Sequence, residues 1–145
     1  MSLTDYSALE KDIKDAPEME ILPKDTEAKL RIVKVDTGVI DDEAKNSFGA
    51  EWHSITFDIP SEVNCPMFNH FMWDLGSKDK VDPKQYQQAL RDFRDFAEAF
   101  NIDYSRPFDW EAFAGLEGWA ILKVVKDKTG EYPDKNGIKK FIVPK

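Results

Sequence analysis

Residues 82–100 read DPKQYQQALRDFRDFAEAF, the plainest helical pattern in the chain and the one whose position decides the fold. Asp82 supplies a side-chain acceptor for the free N–H groups of a first helical turn. Pro83 follows where a fixed φ and a missing N–H cost nothing. Tyr86, Leu90, Phe93, Ala97 and Phe100 recur at helical spacing, and Arg91, Arg94, Asp95 and Glu98 take the outer side. The strand-like runs on either side of this helix alternate with period two.

Upstream there are three such runs. Residues 27–35 place Leu30 and Ile32 on one face and Arg31, Val33 and Val35 on the other, which predicts a first strand followed by a polar loop over 38–49. Residues 50–59 place Ile55, Phe57 and Ile59 opposite Trp52, Ser54, Thr56 and Asp58, until Pro60 ends the run. Residues 67–75 alternate Phe68, His70 and Met72 with Asn69, Phe71 and Trp73, so both faces of a third strand are apolar. Downstream, the apolar connector Tyr104–Phe113 should pack down as a plug or short helix at one end of the core. A fourth strand over 116–126 sets Ala120, Leu122 and Val124 against Trp119, Ile121, Lys123 and Val125. The turn Asp127–Gly130 predicts a hairpin into a fifth strand over 138–143, with Ile138 and Ile142 opposite Phe141 and Val143. Three strands, one helix and two strands is the order of an OB barrel, five short strands with a helix between the third and fourth. A split α+β sandwich is the competing arrangement, and a doubly wound fold is excluded because strands and helices do not alternate.

The bulk composition narrows the function. A chain of 145 residues fits one domain, and one of that size buries about 70% of the surface its unfolded form exposes. The single cysteine, Cys65, cannot form an internal disulfide, and the first residues lack the pattern of a secretory leader, so the expected compartment is reducing cytoplasm. No apolar run approaches the roughly 20 residues of a membrane span. The net charge of −8 speaks against a polyanionic partner until its distribution is considered. Residues 1–27 hold 3 basic and 8 acidic side chains, whereas residues 118–145 hold 7 basic and 3 acidic. The last two strands should therefore lie in positive potential on an otherwise acidic body. Residues 1–25, with a weak helical pattern in Tyr6, Leu9 and Ile13 and prolines at 17 and 23, are expected as a flexible or loosely docked acidic arm, and residues 26–145 as the barrel domain.

Alternation then points aromatic and basic side chains outward together. If Ile55, Phe57 and Ile59 face inward, Trp52 faces out, and by the same rule Trp119 opposes Leu122 and Val124. On the third strand Phe71 and Trp73 are the better outward pair, because Trp is rarely fully buried. Lys29, Arg31, Lys123 and Lys139 fall on the same side as these rings or beside it. Stacking faces flanked by cations suit unpaired bases and phosphates. The same rings also read as ordinary packing beneath the N-terminal arm or the connector.

The segment Gly130-Glu131-Tyr132-Pro133-Asp134-Lys135-Asn136-Gly137-Ile138-Lys139-Lys140-Phe141 accompanies Leu30-Arg31-Ile32-Val33-Lys34-Val35, Phe71-Met72-Trp73-Asp74-Leu75 and the helix end Phe93–Ile102. Together they resemble phage-encoded single-stranded-DNA-binding proteins of the OB type over residues 26–143. That resemblance implies non-sequence-specific coating of single-stranded DNA during replication or recombination, in the host cytoplasm, with Tyr132 in the last hairpin among the contacts. Many single-strand binders end in an acidic tail that recruits replication partners. Residues 141–145 here read Phe-Ile-Val-Pro-Lys, a departure for which the acidic stretch 1–27 could substitute.

Other chemistry has little support. His53, His70, Cys65, Asp58 and Asp74 invite a metal site, but they follow no ligand spacing. Phosphate-cradling glycine patterns and the nucleophile elbow are absent, so we expect no enzyme activity, cofactor or metal. Asp41, Asp42 and Glu43 read as a solvated loop. A protein-interaction or assembly module, such as a homo-oligomer, using the same outer aromatic face is the alternative.

Overall fold

The computed structural model describes residues 2–144. Its centre is one antiparallel five-stranded sheet: β1 (Glu27–Val39), β2 (Glu51–Asp58), β3 (Phe68–Trp73), β4 (Glu117–Val125) and β5 (Lys135–Phe141), in the order β3-β2-β1-β4-β5. A short α1 (Glu10–Lys14) precedes the sheet, and α2 (Pro83–Ala99) lies between β3 and β4 in the chain. The two edge strands β3 and β5 approach each other, but among the described residues they exchange no ladder hydrogen bonds, so the sheet curls without closing. The protein is thus mainly β with few helices.

The start of α2 follows from its first residues. The Asp82 carboxylate accepts from the backbone N–H of Lys84 (3.1 Å) and of Gln85 (3.3 Å), and Pro83 fills the first helical position. Its buried stripe is Ala89, Phe93, Phe96, Ala97 and Ala99, continued by Phe100, while Tyr86 and Leu90 are only half-buried. Packing against the sheet therefore turns the helix so that Phe96, not Leu90, points deepest. The Phe57 ring stacks on Phe100 at 5.6 Å, and Phe96 meets Phe141 at 5.6 Å, with Leu30, Ile32, Ile55 and Leu122 fully buried around them. Burying each such side chain is worth about 1.5–3 kcal/mol. β4 passes close against the helix end at Gly118: a Cβ there would stand 2.7 Å from the Ala99 carbonyl oxygen and 3.0 Å from the Phe100 ring. The connector packs down as expected. Its short 3₁₀ turn, Trp110–Phe113, is held by Asp109, buries Phe113 and lays Trp110 on the His53 ring at 3.9 Å.

Two bulges overturn the simple alternation read from the sequence. On β1 the register passes from Ile32 opposite Phe57 to Lys34 opposite Thr56, which leaves Val33 as an extra residue. Val35 consequently turns inward with Ile32 and packs on the core, instead of sharing a face with Arg31. On β5 Lys140 faces Ile121 and Ile138 faces Leu122, so Lys139 is the extra residue. Phe141 is buried on the same side as Ile138, not opposite it, and the strand starts at Lys135 and ends at Phe141 instead of spanning 138–143. A bulge adds one residue to one strand and so reverses the facing of everything beyond it. β1 also continues to Val39, past the expected loop start at residue 38.

Residues 2–19 are exposed, with Tyr6, Leu9 and Ile13 bare. The stretch from residue 20 onward is tied to the sheet. The buried Asn136 amide bonds both the N–H and the C=O of Leu22, at 3.0 and 2.9 Å, and the Asp25 N–H reaches the Leu122 carbonyl at 2.8 Å. No described helix is long and apolar enough to cross a membrane.

Candidate nucleic-acid interface

Outward side chains of β3 and β2 form one aromatic surface. Trp73 faces Trp52 across the two strands, and Phe71 faces Ser54. The Trp52 indole lies flat over Gly38 on β1, where any Cβ would stand 2.3 Å from the ring. From there the rings run in sequence: Trp52 to Phe71 at 6.1 Å, with planes inclined by 30°, then Phe71 to Trp73 at 4.9 Å, edge to face. The outer two are half-buried, while Phe71 stands 49% exposed between them. It is thereby flanked by two rings and still half open to solvent. An exposed ring braced this way presents an aromatic surface at little further cost in side-chain entropy.

Beside Phe71 the unclosed seam between β3 and β5 opens a groove of about 470 Å³, roofed at one end by α2. A second cleft, about 350 Å³, shares Phe71, Lys123 and Ile138 with the first and carries the groove on toward Val125 and Lys135. Lys123 enters from β4, and Lys139 and Lys140 from β5. Below them, His70 Nε2 meets Asp92 Oδ2 at 2.8 Å, which ties β3 to α2 across the groove floor, and the His70 ring stands edge-on to Phe141. Lys123 and Lys140 form no ion pair among the described residues. Lys139 is held by the Asp25 carboxylate, whose pKa that contact pushes below the usual carboxylate range.

The remaining expected contacts lie elsewhere. Trp119, 49% exposed, sits opposite Lys29 in the β1–β4 register, four residues along β4 from Lys123. That offset is about 13 Å along the strand. Lys29 pairs with Glu117 at 3.7 Å, and Arg31 forks onto Asp58 through Nε at 3.2 Å and Nη2 at 2.6 Å. The fork raises the Arg31 pKa above its ordinary value and commits its Nε and Nη2 to Asp58. Tyr132 is 65% exposed in the β4–β5 loop, outside both clefts. Asp127 braces that loop, accepting from the Thr129 hydroxyl at 2.6 Å and the Tyr132 N–H at 3.1 Å, and these donors lower its pKa.

The structure thus brings together Trp52, Phe71, Trp73, Lys123 and Lys139, and leaves Lys29, Arg31, Trp119 and Tyr132 apart. Sequence reading missed Lys140 and Lys135, and the wall of α2 made of Gln85, Gln88, Asp92 and Asp95. The Lys139-Lys140 doublet was the available signal. It was obscured by the bulge, because strict alternation turns one member of a doublet inward, whereas both are exposed here.

The histidines are committed locally. His53, 3% exposed, takes the Thr37 hydroxyl at Nδ1 (2.9 Å) and Asp74 at Nε2 (2.7 Å). Cys65 is half-buried against the core, which raises its thiol pKa. No three His, Cys, Asp or Glu side chains converge among the described residues in a way that would hold a metal ion. Compared with protein-family models, with curated proteins and with solved structures, the chain matches none of them.

Proposed function

We propose that this protein is an OB-type barrel that binds single-stranded nucleic acid, DNA in the first instance, in the groove between β3 and β5. The strand order supports the OB reading: β1 is shared between the β1-β2-β3 meander and β4, β4 pairs with β5, and the helix falls between β3 and β4. The observation that carries the functional reading is a single one. Phe71, braced by Trp52 and Trp73, stands beside Lys123, Lys139 and Lys140 in one cleft. Base stacking on an aromatic face contributes about 1–3 kcal/mol per base, and ammonium groups displace counterions from phosphates. An acidic body with this one basic seam disfavours binding anywhere else. The role is binding, not catalysis, and holding exposed strands in phage replication or recombination, as the family resemblance implies, belongs to the same proposal.

The test is a titration with a mixed-sequence single strand and with its duplex. The single strand should quench tryptophan emission through Trp52 and Trp73, with affinity falling steeply as salt rises. Equal binding of duplex defeats the reading. The exposed Trp119, away from the groove, favours a second reading as an assembly surface. A tight oligomer by light scattering, with tryptophans silent to oligonucleotide, would select it.

A further inference from the structure

The two walls of the groove are chemically opposite. The β4–β5 wall carries Lys123, Lys139 and Lys140, whereas the α2 wall carries Gln85, Gln88, Asp92 and Asp95. A phosphate placed against α2 would face two carboxylates, so a strand whose bases stack on Phe71 has its backbone on the lysine side and its base edges toward the helix. Those carboxylates keep acceptor capacity. His70 occupies only Oδ2 of Asp92, and Arg94, on the same helix, occupies only Oδ1 of Asp95. Gln88 accepts from Arg91 through Oε1, which leaves its amide N–H groups to donate.

We infer that the α2 wall reads unpaired bases by their exocyclic amino groups, so that the groove prefers strands rich in cytosine and adenine over thymine or uracil. This rests on the reading of the groove as a single-strand site and adds which bases it takes. Cytosine and adenine each offer an N–H₂ donor next to a ring-nitrogen acceptor, and a carboxylate beside a glutamine amide complements that pair. Thymine turns a carbonyl oxygen toward the carboxylate at the same place and is repelled. The edge being read is the one that Watson–Crick pairing covers, which gives the groove a reason to reject duplex beyond its shape.

The experiment is a fluorescence titration of the full chain with oligo(dC) and oligo(dT) of equal length at one salt concentration near neutral pH. Oligo(dC) should bind about tenfold more tightly. Asp95→Asn, which leaves the His70–Asp92 link intact, should narrow the ratio, and the double variant Asp92→Asn, Asp95→Asn should bring it to about one chiefly by improving oligo(dT). Oligo(dT) bound as well as or better than oligo(dC) by the native chain overturns the inference while leaving the groove as a single-strand site. A preference that survives both variants overturns its assignment to these carboxylates. Binding of neither oligonucleotide overturns the reading of the groove itself.

Discussion

Two outer patches of this sheet both set exposed rings beside basic side chains, and they have opposite character. Around the β3–β5 seam, Phe71 and two indoles meet Lys123 and Lys140, which have no ion-pair partner among the described residues. On β1 and β4, Trp119 meets Lys29 and Arg31, but Glu117 and Asp58 occupy both cations. The first patch is concave because two strand edges fail to pair, and the second is the convex back of a paired ladder. A cation serves a phosphate only when its own carboxylate neighbours release it, and a ring holds a base best where a second wall confines it. Counting basic residues does not separate the patches. Their pairing does.

Phe71→Ala is the strongest way to break the contrast: single-strand affinity should fall about ten- to a hundredfold, against less than about twofold for Trp119→Ala, measured by anisotropy with a labelled strand. Equal losses would erase the distinction between the patches. Next in size, removing Lys123 and Lys140 together should flatten the slope of log affinity against log salt by about 1.4, whereas removing Lys29 and Arg31 should leave it nearly unchanged. Gly38→Ala tests the bracing of the aromatic row, since the new methyl displaces the Trp52 ring. Binding should weaken by less than in Phe71→Ala, with a changed tryptophan emission in the free protein. The smallest effect is expected for Asp25→Asn, which frees Lys139: affinity should rise about twofold and the salt slope steepen by about 0.7. A loss of affinity in that variant would mean that Asp25 orients Lys139 instead of neutralising it.

Much of the framework was legible because it depends on local patterns. The cap and apolar spacing of α2, the alternation of β2 and β4, and the outward facing of Trp52, Phe71 and Trp73 each follow from residues within one element. The tail of β5 was misread because Lys139 looks like any strand residue until its partner strand shows that it has no opposite number. Val35 was misplaced for the same reason, one bulge upstream. The engagement of Arg31 by Asp58 and of Lys139 by Asp25 joins residues 27 and 114 positions apart, and no periodicity reports such distances.

The sequence by itself determined the kinds and order of the elements, since backbone preference and hydrophobic period act over a few neighbours. Only the tertiary structure decided which strand edges stay unpaired, which lysines stay free and which helix face closes the groove. Those outcomes come from contacts between distant segments, where a one-residue bulge or a single carboxylate changes what a surface offers.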